Sequence, residues 1–256
     1  MQMFLKPFIH ACAFAALTAL PIGAVAAEIE VLATTALTGA MKDLVPQFEA
    51  RSGHKINAIF GPAAAITKRL AEGEAADVLI GTRAGLEAMV KAEKITAQSD
   101  TVVASSGIGV AVRSGAPKPD ISTPEAFKQT LLNAKAISYS NPAFGGASGV
   151  HLAKVFEKLG IVEQMKVKTL FPPEAGLSGV FLIKGEADVA VQQFSELKEA
   201  GDVQIVGPLP GDLQAVTVFA AGVAAASKER EAAKAFVVYL RSPEAAAILK
   251  QRGLEP

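Results

Sequence analysis

Between Glu28 and Gly81 the chain alternates short apolar strands, loops of small residues and amphipathic helices, and few folds accept that alternation. Ile29 to Leu32 reads as a strand, Ala33-Thr34-Thr35-Ala36 as the loop after it, and Leu37 to Arg51 as a helix with Leu37, Met41, Leu44, Val45 and Phe48 along one side. Gly53 ends that helix. A second strand (Lys55 to Phe60), the loop Gly61-Pro62-Ala63-Ala64 and a helix through Leu70 follow, and Gly73 stops that helix. Asp77 to Ile80 is a third strand leading into Gly81-Thr82-Arg83. Units of this length predict a largely parallel sheet covered by helices on both faces, with ligands at the carboxyl ends of the strands. The loops rich in Thr, Ser, Gly and Ala therefore fall on the functional edge.

Ser105-Ser106-Gly107 reads as a boundary, followed by a strand from Ile108 to Val112 and a proline-rich turn segment from Ser114 to Pro124. Beyond the helix Pro124 to Leu132 the pattern begins again. The strands are Ala136 to Tyr139, Val167 to Phe171 and Asp188 to Gln192, with helices after Ser148 and from Leu177 to Ile183. Gly185-Glu186-Ala187-Asp188-Val189 echoes Gly73-Glu74-Ala75-Ala76-Asp77-Val78, which predicts two lobes of related layout. Strands at Val203 to Val206 and Val216 to Ala220 and helices from Lys228 and Pro243 complete the chain. Strand-end loops from two lobes facing one cleft make a clamp for a small ligand.

The loop Ser140 to Gly146, opening a helix with Val150, Leu152, Val155, Phe156 and Leu159 on its apolar positions, suits an anion. The first amides of a helix have no partner within it, and the aligned peptide dipoles leave about half a positive charge there. Ser148 adds a hydroxyl at that point. Alone, this stretch is an ordinary helix start; it becomes a site only if other segments bring similar loops to it.

Residues 1–26 read as a secretory leader: Lys6, an apolar run from Ala11 to Leu20, and the small-residue site Ala24-Val25-Ala26. Export to the periplasm is the expectation. The only cysteine, Cys12, lies in the leader, so the mature chain has no disulfide, thiol nucleophile or cysteine metal ligand. Without Lys6 there are 24 basic and 25 acidic residues, no basic field for nucleic acid or membrane, and only His54 and His151 as mature histidines. No metal, no cofactor and a monomer are expected. No Gly-rich phosphate loop with Lys and no G-x-S-x-G elbow is present.

With its loops placed, the chain resembles the periplasmic molybdate-binding proteins of bacterial ABC importers, which have the type II two-lobe binding-protein fold. The resemblance rests on V-L-A-T-T-A-L-T-G-A-M-K-D-L (31–44), F-G-P-A-A-A-I-T-K-R-L-A-E-G-E-A-A-D-V (60–78), A-S-G-V-H-L-A-K-V-F-E-K-L-G (147–160), G-E-A-D-V-A-V (185–191) and F-V-V-Y-L-R-S-P-E-A-A-A-I-L-K-Q-R-G (236–253). It implies an α/β fold with lobe I from residues 27–106 and 201–256, lobe II from 107–200, and an importer as partner. The family places a serine after each of the first two strands and a tyrosine after the strand from Asp188. Here those positions are Ala36, Pro62 or Ala63, and Gln193. An unpaired buried polar group costs about 1–3 kcal/mol, so the same oxyanion would be held less well. Thr34, Thr35, Ala36, Gly61, Pro62, Ala63, Ser148, Gly149, Ala175, Gln192 and Gln193 are the expected ligand contacts, a set suited to a larger anion such as a small organic acid.

The same family includes a periplasmic aconitate isomerase, which moves a proton along an allylic tricarboxylate. A base is then required, and His151, three residues after Ser148, is the first candidate, with Glu174 in the Pro-Pro-Glu-Ala-Gly loop the second. The sequence leaves three readings: a carboxylate receptor for an importer, an isomerase of the aconitate type, and a molybdate or tungstate receptor.

Overall fold

The computed structural model describes residues 26–256; the expected leader, up to Val25, lies outside them. The first half contains β1 (Glu28–Thr34), α1 (Thr38–Ser52), β2 (Lys55–Gly61), α2 (Ala63–Ala71), β3 (Val78–Thr82) and α3 (Arg83–Lys91). A long strand, β4 (Thr101–Arg113), carries the chain into the second half. That half holds α4 (Pro124–Asn133), β5 (Ile137–Tyr139), α5 (Ala147–Leu159), α6 (Val162–Lys166), β6 (Thr169–Leu170), α7 (Gly179–Ile183), β7 (Val189–Gln193), α8 (Phe194–Glu199) and β8 (Val203–Pro208). The chain returns through β9 (Val216–Val223) and ends with α9 (Arg230–Tyr239) and α10 (Pro243–Gln251).

The strand order is β2-β1-β3-β9-β4-β7-β5-β6, with β8 also paired to β4. In each half three strands are parallel, and antiparallel partners complete the sheet: β9 and β4 in the first, β4 and β8 in the second. Successive side chains of a strand face opposite sides. Ile29, Val31 and Ala33 therefore join the core under α1, α9 and α10, while Leu32 joins the core under α2 and α3. The second half repeats this arrangement, with Val189 and Val191 facing α4 and α5 and Ala190 facing α7 and α8. Helices on both faces of a central sheet, twice over, are the expected α/β two-lobe architecture.

The echoed Glu-Ala-Asp motifs do the same work in both halves. The Asp77 amide donates to the Glu30 carbonyl (2.8 Å), and its carboxylate accepts from the Glu30 amide (2.9 Å) and from Ser227 Oγ (2.6 Å). The Asp188 amide donates to the Ala136 carbonyl (2.9 Å), and its carboxylate accepts from the Lys135 amide (2.6 Å). Each aspartate thus ties the third parallel strand of its half to the first. Asp77 is buried and Asp188 exposed, so Asp77→Ala, which strands the Glu30 amide, is expected to lower stability by about 1–3 kcal/mol and Asp188→Ala by less. Urea midpoints of the two variants test that order.

Ser105-Ser106-Gly107, read from sequence as a boundary loop, is the middle of a 13-residue strand. Its backbone pairs with Val218, Thr217 and Val216 of β9, and the residues immediately beyond pair with β7 and β8. β4 therefore belongs to both halves. β8 pairs with the second half of β4, so a division at residue 201 falls before a strand of the second sheet. The pairing supports residues 209–215 as the return crossing. Val167 to Phe171, expected as a strand, narrows to Thr169–Leu170, and Val167 is exposed.

Candidate functional site

Three helical starts that lack side-chain caps meet at one point. The 3-10 turn Thr35–Leu37 after β1, α2 after Pro62 and α5 after Gly146 have no side chain accepting from their first amides. Elsewhere α3, α4 and α10 have such caps, from Thr82, Thr123 and Ser242, while α1, α6, α7 and α9 lack them, so it is the meeting of the three starts that marks the site. These starts line a narrow, largely enclosed gap of about 10 Å³, room for about one water, with Thr34, Thr35, Ala36, Ala63, Gly146, Ala147 and Ser148. Ser140, Gln193, Glu196 and Phe219 complete its wall. The first two starts belong to the first half and the third to the second, so the cavity is the cleft between the halves. None of these lining residues is cationic.

Hydroxyl donors supplement the amides. Ser140 Oγ lies 3.4 Å from Ser148 Oγ and accepts from Gln192 Nε2 (3.0 Å). Gln192 is itself fixed, its Oε1 accepting from the Ser178 amide (2.8 Å). It positions Ser140 and is not one of the residues lining the cavity. The Gln193 side-chain amide, oriented to satisfy its neighbours, donates through Nε2 to the Ser106 carbonyl (2.9 Å) and the Gly107 carbonyl (3.1 Å) and accepts at Oε1 from Thr217 Oγ1 (2.8 Å). It bolts the end of β7 to the crossing strands β4 and β9. Both glutamines, expected as ligand donors, are thus engaged within the protein, although Gln193 borders the cavity.

Other expected residues separate in the same way. Thr34, Thr35, Ala36, Ala63 and Ser148 come together. Gly61 and Pro62 place Ala63 from behind, and Gly149 lets α5 press against Ser140, but none of the three lines the cavity. Ala175 and Glu174 are exposed in the loop 172–176, away from the cavity wall. His151 turns from the cavity: its Nε2 is 2.8 Å from the Leu213 carbonyl, in the segment returning to β9. The spacing that put His151 on the first turn of α5 could not tell which side of the helix faces the ligand.

The residue that sequence reasoning missed is Glu196. It sits three residues after Gln193, in the first turn of α8, where a Glu reaching back to its own N-cap amide forms half of a capping box. That spacing was legible; its position in the cleft was not. Its Oε2 accepts from the Gln193 amide (3.3 Å) and its Oε1 from Thr35 Oγ1 of the opposite half (3.0 Å). The residue is only 5% exposed. Burial pushes its carboxyl up to about 7, against the pull of the hydrogen bonds from Thr35, Gln193 and Gln192.

Contacts at the rim hold the halves together. The Ala64 amide of α2 donates to the Gly145 carbonyl (3.3 Å), and a Cβ on Gly145, where φ is +74°, would lie 2.4 Å from the Ala64 Cβ. Lys42 of α1 pairs with Glu199 of α8, and Arg252 reaches both Glu199 and Asp43. A ligand entering this cavity requires the halves to part about β4 and the return crossing.

The comparisons agree with this architecture. The model of the bacterial extracellular solute-binding protein family matches residues 29–255. An aconitate isomerase of Pseudomonas sp. is 34% identical over 89% of this chain and 87% of its own length. The molybdate-binding protein ModA of Azotobacter vinelandii is 28% identical over 91% of this chain and 92% of its own length. Among solved structures, the periplasmic molybdate-binding protein of Azotobacter vinelandii aligns with a TM-score of 0.73 at 18% identity, covering 89% of this chain and 99% of that one. A fold of two sheets joined through β4, a cleft at their strand ends and a family match across nearly all described residues lead to one assignment: the chain belongs to the bacterial extracellular solute-binding protein family, in its two-lobe form.

Proposed function

We propose that this chain works in the periplasm, closes on a small polycarboxylate, and interconverts double-bond isomers of an aconitate-type tricarboxylate. The observation that carries the reading is the convergence of uncapped helix starts from both halves on a cavity whose one ionisable lining group is a buried carboxyl. Neutral donors of this kind hold an anion by backbone amides and dipoles. A buried acid beside them weakens simple anion capture and suits a reaction in which a proton moves. Alanine at positions 36 and 63, with hydroxyls at Thr34, Ser140 and Ser148, supports a carboxylate over a tetrahedral oxyanion. The 34% identical relative named as an aconitate isomerase supports the substrate class.

The test is incubation of the purified mature protein with trans-aconitate, followed by NMR for the cis isomer. Catalytic turnover is the expected result. A second reading, favoured by the family match and the clamp geometry, is a receptor that hands the acid to an ABC importer. It predicts saturable binding without product. A ligand at a hundred times its dissociation constant stabilises the folded state by about 2.7 kcal/mol, so a large thermal shift with molybdate and none with tricarboxylates would overturn both.

A further inference from the structure

We propose that Glu196 is the catalytic residue that carries the proton in this cleft, removing it from one carbon of the bound acid and returning it to another. This rests on the isomerase reading above. Four observations support it. The carboxyl lines the cavity formed by the three uncapped helix starts. Both its oxygens are held, by Thr35 Oγ1 and the Gln193 amide, so its direction is fixed. Each of those oxygens keeps acceptor capacity beyond its one bond. No cation pairs with it among the described residues: on its own helix Lys198 reaches the Gln251 carbonyl, while Glu199 pairs with Lys42 of α1 and with Arg252, which also holds Asp43.

A helix-capping glutamate normally sits in water and stays ionised. Burial brings this one close to neutral pH, where a carboxyl both accepts and returns a proton efficiently. His151, the other acid–base group on the neighbouring helix, is turned to the Leu213 carbonyl.

The step balances without an oxidant or a second substrate. The Glu196 carboxylate takes a proton from the methylene carbon next to the double bond; that C–H bond breaks and its electron pair spreads over the three-carbon unit and the conjugated carboxylate. The amides of Thr35, Ala36, Ala147 and Ser148 are the donors available to the negative charge as it develops. The new carboxylic acid then gives its proton to the former alkene carbon, where a C–H bond forms. The double bond has moved one position and Glu196 is a carboxylate again.

Glu196→Gln and Glu196→Asp separate this from a structural role. Wild-type protein in D₂O is expected to incorporate deuterium into trans-aconitate and to form the cis isomer. Glu196→Gln should lose at least about a hundredfold in kcat, while still showing a thermal shift with propane-1,2,3-tricarboxylate, a saturated analogue with no double bond to move. Glu196→Asp should keep part of the rate with a displaced pH profile. Full turnover by Glu196→Gln would overturn the role of Glu196 and leave the isomerase reading standing. No turnover and no exchange in the wild type would overturn both. A rate lost only in proportion to analogue binding, with the pH profile of Glu196→Asp unchanged, would make Glu196 a structural cap and overturn the proposal.

Discussion

Gly149→Ala is expected to abolish the ligand-induced thermal shift and to destabilise the fold by about 1–3 kcal/mol, the range for forcing one extra carbon into a packed site. A Cβ at this position would stand 2.0 Å from the Ser140 carbonyl oxygen and 2.8 Å from its carbon. Both are backbone atoms, so no rotamer change relieves the clash. Either α5 withdraws or the end of β5 shifts, and Ser140 and Ser148, now 3.4 Å apart, separate. The α5 amides leave the cavity with them. Gly53→Ala is the control. Its φ is +76° and no atom lies within 4 Å of the added carbon, so only the left-handed backbone cost of about 1 kcal/mol applies and ligand binding persists. Denaturant midpoints and thermal shifts with trans-aconitate measure both variants. An unaltered shift in Gly149→Ala would remove the start of α5 from the site.

The second large effect is a pH dependence. Glu196 is raised from 4.5 to about 7 in the folded chain, so between those values the folded state binds more protons than the unfolded one. Stability from this group is fully present below about pH 4.5 and is lost as the pH rises towards 7. A shift of that size corresponds to about 3 kcal/mol. Carboxylates lowered by their partners, such as Glu49 and Glu74, act in the opposite sense, losing stability as the pH falls through their folded values. The difference between wild type and Glu196→Gln, followed by denaturant unfolding from pH 4 to 8, isolates the glutamate. Glu196→Gln is expected to gain on the wild type steadily across that window and then run parallel to it. Parallel curves throughout would mean that the carboxyl titrates as an exposed one.

Legibility differed from element to element for physical reasons. The strands from Val31 to Ala33 and Val78 to Ile80 were readable because a strand buried on both faces is a continuous apolar run. The helix at Leu37 to Arg51 and the helix after Ser148 showed their buried faces in their spacing. α6 and α8 are too short to establish a period. Ser105-Ser106-Gly107 has the composition of a turn and becomes strand because β9 on one side and Glu255 on the other, both more than a hundred residues later, supply its pairing.

The amino-acid sequence by itself determined the repeated α/β units, the two lobes, the small-residue loops at the strand ends and the family resemblance, because these depend on local periodicity and turn chemistry. Tertiary structure alone decided which of those loops share a cavity, that Gln192 and Gln193 are engaged in bracing, that His151 faces away and that Glu196 faces in. A side chain's chemistry in a cleft depends on burial and on partners such as Thr35, 161 residues away in the chain. Neither is encoded in the spacing of its neighbours.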